Sequence, residues 1–290
     1  MKPADSENAR DHGDPKVILR RIGAAPEAPF DLADGALALA SVDRPGVALD
    51  HYQNHLKDLA RDVAAAYEAP ALEADAGAAG RCVAALNRIV LDEYGYAGDE
   101  LTYDDVQNAN LMRVIDRRKG LPIALGILYL HAGRAQGWSM AGLGFPGHFL
   151  VRLDLDGERI IVDPFNGGRI CAADDLRGLL KAMQGQEVEL RPEHYAEVTD
   201  REVLLRLQNN IKLRLLQLEK TDAAAAVADT MLLFAPDVLT LWREAGLLHA
   251  HAGNLRAAAD ALENYLTRET REGPRQDAAL FLQRLRERLN

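Results

Sequence analysis

Apolar positions recur at helical spacing along most of this chain and alternate only near its middle. From Asp31 to Glu68 the pattern predicts two helices broken at "DRPG", the second with Leu49, Tyr52, Leu56, Leu59, Ala60 and Val63 on one stripe. The Ala/Gly-rich segment 69–80 predicts a loop, and Arg81 to Tyr94 a helix with Val83, Leu86, Val90 and Leu91 inward. The run "LPIALGILYLHAGRAQG", Leu121 to Gly137, is apolar on almost every side, so its helix belongs inside a core. Pro122 suits the first turn, where a missing N–H costs nothing. A short strand follows from Met140 to Gly144, then a hairpin, then a small helix from Ala173 to Met183.

Asp156-Gly157 fixes the hairpin, because both central positions of a type I′ turn need positive φ. With Leu155 facing Glu158, paired residue numbers sum to 313. Val151, Leu153, Ile160 and Val162 then share one apolar face that must pack on a helix. His148, Leu150, Arg152, Ile161 and Asp163 share the other. His148 stands one diagonal step from Asp163, within reach of a carboxylate–imidazole hydrogen bond. Such a pair orients an imidazole for acid–base work, or simply ties two strands together.

Beyond Asp200 the pattern is helical throughout. Setting Ala258 over Ala224, 34 residues apart, aligns two helix pairs, with Trp242, Gly246, Ala258 and Leu262 in the second copy. This resembles the tetratricopeptide repeat. The first copy departs from that pattern, with Gln208 and Lys212 where the second has Trp and Gly.

The segments "RRKGLPIALGILYL", "PGHFLVR" and "DPFNGG" follow in the order helix, strand, strand. They resemble the transglutaminase-like superfamily, specifically its bacterial SirB-type branch, in which such a core precedes tetratricopeptide helices. The resemblance implies an α+β fold: a papain/transglutaminase-like core of helices on a small antiparallel sheet, followed by an all-α tetratricopeptide-like region. The expected division is a tail at 1–15, the core at 16–195 and the helices at 196–290. His148 and Asp163 map onto the strand-borne pair of the superfamily. Its cysteine belongs at the start of the central helix, where Pro122, Ile123 and Ala124 stand and none can attack a carbonyl. The resemblance implies that this branch generally lacks that cysteine and binds ligands on a hydrolase scaffold.

Cys82 begins the predicted 81–94 helix, where a dipole lowers a thiol's pKa. It is the alternative nucleophile for a hydrolase or acyltransferase, beside a second alternative in which His148 activates water. Arg117 and Arg118 in "DRRKG" either form a solvated loop or reach the His148 cleft to hold a carboxylate. Asn108, Asn110 and Asn166 either turn the chain or line the same cleft.

Composition narrows the partners. The chain has 48% hydrophobic and 27% charged residues and a formal charge of −10, which argues against affinity for nucleic acid or anionic membrane. Two cysteines, no secretory h-region and no span-length apolar run indicate a cytoplasmic protein. No glycine phosphate loop and no metal motif point to a cofactor, and His148 with Asp163 makes only two ligands. A protein or peptide partner is expected. The oligomeric state is not encoded in any pattern we find.

Overall fold

The computed structural model describes residues 14–69 and 77–289. The expected tail at 1–15 falls outside them up to residue 13, as does most of the expected 69–80 loop. The described chain forms two compact units: residues 31–207, and residues 14–30 with 208–289. The first helix, α1 (Pro15–Ala24), thus groups with the C-terminal helices. Asp14 caps it by accepting a hydrogen bond from Lys16 N at 2.8 Å.

In the 31–207 unit, α2 (Leu32–Val42), α3 (Asp50–Glu68) and α4 (Ala78–Asn87) pack on a central helix, α6 (Pro122–Arg134), while α5 (Leu111–Arg117) packs on α2. Every α6 residue from Pro122 to Gly133 except His131 is buried, as its unbroken apolar run requires. His131 is half-buried and bonds the Leu56 carbonyl at 3.2 Å. α4 starts at Ala78, inside the expected loop, and continues as one π-helical turn from Arg88 to Glu93. That wider turn shifts the inward stripe, so Ile89 and Val90 are buried while Leu91 is only half-buried.

A two-residue parallel pair joins β1 (Ala97–Gly98) to β2 (Lys119–Gly120) just before α6. The main sheet contains β3 (Ser139–Leu143), β4 (Leu150–Leu155), β5 (Glu158–Asp163), β6 (Arg169–Ile170) and β7 (Glu197–Val198). Its order is β6-β5-β4-β3-β7, antiparallel throughout. The hairpin has the expected register, Leu155 opposite Glu158 and Val151 opposite Val162, around Asp156 (φ 51°) and Gly157 (φ 83°). Helices α4 and α6 cover one face of β4. On the other, α7 (Ala173–Gln184) packs Leu176 and Leu180 against Leu143, Phe145, Leu150 and Cys171.

The second unit stacks helix pairs. α8 (Asp200–Gln217) crosses the division at residue 207/208 and is followed by α9 (Thr221–Phe234), α10 (Leu239–His251), α11 (Leu255–Arg268) and α12 (Glu272–Leu289). Gly246 permits the close α10–α11 crossing, since a Cβ there would lie 2.7 Å from Leu262. At the equivalent position of the first pair, Lys212 is 2% exposed and pairs with Glu244 at 2.7 Å. A buried lysine paired with a partly exposed glutamate therefore stands where the second repeat has glycine. Among the described residues no helix is long and apolar enough to cross a membrane.

Candidate functional site

His148 follows a turn that the flanking aromatics lock. Phe145 and Phe149 are fully buried on either side of it. A Cβ on Gly126 of α6 or Gly142 of β3 would come within 2.6 Å of the Phe149 ring, so both glycines are needed for that ring to seat. Gly147 takes φ 69°, and His148 N donates to the Phe145 carbonyl at 3.2 Å. From α8, Arg206 donates to the Phe145 carbonyl at 2.7 Å and also to the His148 carbonyl. Burial pushes the Arg206 guanidinium below its ordinary pKa, which the nearby Tyr103 partly opposes.

Asp163 ends β5 and is wholly buried. Its Oδ1 accepts from His148 Nε2 at 2.8 Å, Phe165 N at 3.2 Å and Asn166 N at 3.3 Å; Oδ2 accepts from Asn166 Nδ2 at 2.7 Å. Arg169 Nε lies 3.8 Å away. Burial alone would raise this carboxyl, but hydrogen bonding and charge from His148, with the Asn166 donors, outweigh it and hold the acid below its usual range. An ionised carboxylate accepts only, so Nε2 carries the imidazole proton. His148 Nδ1 has no hydrogen-bond partner among the described residues.

Phe165 stands edge-on to His148, with ring centres 6.1 Å apart at 87°, and Tyr103 stands edge-on to Phe165 at 5.8 Å. The Phe165 ring rests on Gly98, where a Cβ would lie 2.7 Å from it. Gly98 pairs with Gly120, and Gly120 leads directly into α6. The first helical side chains of α6 are the buried Pro122, Ile123 and Ala124. Behind the loop, Asn87 at the end of α4 donates to the Gly168 carbonyl at 2.9 Å and accepts from Tyr129 Oη at 2.8 Å. The sequence reading missed Arg206, Phe165, Asn87 and Tyr129. "DPFNGG" contained the signal for Phe165; Arg206 sits in a segment whose periodicity shows only a helix.

Of the other expected site residues, only Asn166 joins the pair. Arg117 bonds Asn108 Oδ1 and Asp99 Oδ2, each at 2.8 Å. Arg118, at φ 58°, bonds Tyr96 Oη at 2.6 Å and His55 Nε2 at 2.8 Å and lies over the Tyr96 ring. Asn108 is buried with its amide on the Thr102 carbonyl, and Asn110 caps α5 through Arg113 N while donating to Ala40 O. None of these four bonds His148 or Asp163.

Cys82 lies within α4, five residues before Asn87. The start of α4 at Gly77 abuts Glu158 beside the hairpin tip, whereas Asn87 meets the dyad loop. The sulfur is buried, and burial pushes its thiol up to about 11 despite the lowering influence of Tyr67 and Arg81. No hydrogen bond links it to His148. Cys171 is also buried; desolvation and then the Asp163 charge push it up to about 11. Among the described residues no three His, Cys, Asp or Glu side chains converge as a metal site.

A family model described as the transglutaminase-like superfamily matches residues 50–209, and a tetratricopeptide repeat model matches 211–290. The chain belongs to the transglutaminase-like superfamily. Within it, the chain is similar to UPF0162 (SirB-type) proteins. It is 34% identical over 221 residues to one from Vibrio cholerae serotype O1, covering 76% of this chain and 79% of the relative. It is 34% identical over 190 residues to one from Xylella fastidiosa strain 9a5c, covering 63% of this chain and 66% of the relative, just under two thirds of its length. A shorter similarity, 29% over 136 residues, reaches human F-box only protein 21, covering 44% of this chain and 20% of the relative. No solved structure matches the chain. As a transglutaminase-like protein it has a bonded His–Asp pair, with His148 in the turn before β4 and Asp163 at the end of β5, and a central helix that opens with Pro, Ile and Ala.

Proposed function

We propose that this transglutaminase-like protein is non-catalytic. It binds a protein, peptide or small ligand at the His148–Asp163 end of its sheet, with the repeat helices as a second recognition surface. One observation carries the proposal: no thiol or hydroxyl nucleophile among the described residues bonds the ordered His148–Asp163 dyad, and the central helix opens with Pro, Ile and Ala. Covalent acyl transfer has no chemical route without one. Both thiols support this, since each is buried and protonated at neutral pH. Two reduced, buried thiols also fit a cytoplasmic protein.

The test pairs turnover with binding. Full-length protein is assayed for amidase and transamidase activity and, separately, for capture of peptides from a fluorescent library. The expected result is no turnover above buffer, with captured peptides losing about tenfold or more in affinity in His148→Ala while its unfolding midpoint holds. Thiol-dependent turnover that vanishes in Cys82→Ala sinks the proposal.

The Asp163 contact on His148 Nε2 favours a second reading, in which His148 activates water and Asp163 orients it. Hydrolysis that survives iodoacetamide but disappears in His148→Ala would select that reading.

A further inference from the structure

Oxidation turns methionine from a flexible apolar side chain into a polar one, and burial is what protects it. Among the described residues the methionines are Met112, Met140, Met183 and Met231. Met112 and Met231 are 0% exposed and Met140 6%, whereas Met183 is 48% exposed. Met183 stands in the last turn of α7, where residues 181–184 are all exposed. It extends the stripe of Leu176 and Leu180, the two residues that anchor this helix on the sheet.

What Met183 touches is the turn that carries His148. A Cβ on Gly147 would lie 3.0 Å from Met183 Sδ, 3.2 Å from its Cγ and 3.4 Å from its Cβ, so the thioether side chain rests on Gly147. Gly147 takes φ 69° and directly precedes His148. The β3–β4 ladder ends where Leu143 faces Leu150, so it does not hold the turn between them. That turn is held by the His148 N bond to the Phe145 carbonyl at 3.2 Å, by Arg206 on the Phe145 and His148 carbonyls, and by Met183 on Gly147. His148 itself is 6% exposed.

Resting on the binding role proposed above, we propose that Met183 is a modification site for hydrogen peroxide and that its oxidation controls access to His148. The thioether sulfur attacks one peroxide oxygen. An S–O bond forms as the O–O bond breaks, sulfur gives up two electrons, and the departing hydroxide takes the remaining proton and leaves as water. The polar sulfoxide turns out to solvent, which the open last turn of α7 allows while Leu176 and Leu180 keep the helix seated. Gly147 then loses its cover, the Phe145–His148 turn loosens, and the partner of the site is held less tightly. A sulfoxide reductase with a dithiol returns the thioether.

Full-length protein is treated with hydrogen peroxide, and peptide mapping follows sulfoxide at each methionine and carbethoxylation of His148 by diethyl pyrocarbonate. Met183 is expected to oxidise about tenfold or more faster than Met112, Met140 or Met231, and His148 to react roughly threefold faster afterwards. Met183→Gln should reproduce that rise without peroxide. Met183→Leu should hold the His148 rate level under the same treatment, and reductase with dithiothreitol should reverse the rise in the wild type. Oxidation of Met183 no faster than of the buried three, an unchanged His148 rate at full Met183 oxidation, or the same rise in Met183→Leu overturns the inference. The fluorescent library peptide that untreated protein binds most tightly is expected to lose roughly fivefold in affinity on oxidation. If it keeps that affinity yet is lost in His148→Ala, control by Met183 falls and the binding role stands. If no peptide binds, the binding role falls, and the His148 rate alone decides whether Met183 governs the turn.

Discussion

Replacing Asp163 with alanine removes one carboxylate that accepts from four donors: His148 Nε2, Phe165 N, Asn166 N and Asn166 Nδ2. Leaving them buried without an acceptor should cost about 3 kcal/mol or more, read as a fall in urea midpoint, while Asp163→Asn keeps one acceptor and should cost less. A second residue sets the response to acid. His55 is held neutral, its pKa pushed down to about 4 by burial and then by Arg118. Its unfolded value is about 6.5, so between those values the unfolded chain binds the extra proton. Stability is complete above about pH 6.5 and declines toward pH 4, by on the order of 1–2 kcal/mol after allowing for partial exposure. His55→Gln should flatten that slope in pH-dependent denaturation. At this scale the sequence was readable where partners sit on one hairpin, as His148 and Asp163 do. It was silent for Arg118, whose partners His55 and Tyr96 lie 63 and 22 residues away. Arg117 looked available for a ligand because nothing local announces Asp99.

Among the elements, the β4–β5 hairpin was the most legible, because one dipeptide turn sets the register of every residue pair that follows. The π-helical turn at 88–93 was not legible: one extra residue per turn leaves no mark on an apolar pattern that reads equally well as α-helix. Glycines report where elements approach closely. Gly126→Ala would drive a methyl into Phe149 at 2.5 Å and should destabilise by roughly 1–3 kcal/mol, measured by thermal or urea unfolding. Gly168 combines φ 63° with the Asn87 amide and Tyr129 hydroxyl where a Cβ would stand. Gly168→Ala should cost about 2–4 kcal/mol and loosen the Asp163 loop, visible as faster amide exchange at Phe165 and Asn166.

For the whole molecule, the repeat spacing identified the C-terminal helices, but nothing in the N-terminal sequence assigns α1 to them. The reason is steric and specific: Gly23 sits directly against the Leu233 carbonyl of α9. The chain has two tryptophans, Trp138 in the 31–207 unit and Trp242 in the other, so each unit carries its own fluorophore. Gly23→Val should therefore lower the unfolding midpoint reported by Trp242, in a Trp138→Phe background, more than that reported by Trp138 in a Trp242→Phe background. The buried sulfurs have a practical consequence as well. Both native cysteines are shielded and poorly ionised, so a cysteine introduced in place of Leu101 would be the one readily alkylated position in the folded molecule. An environment-sensitive dye attached there would give an optical signal each time a partner covers that exposed position.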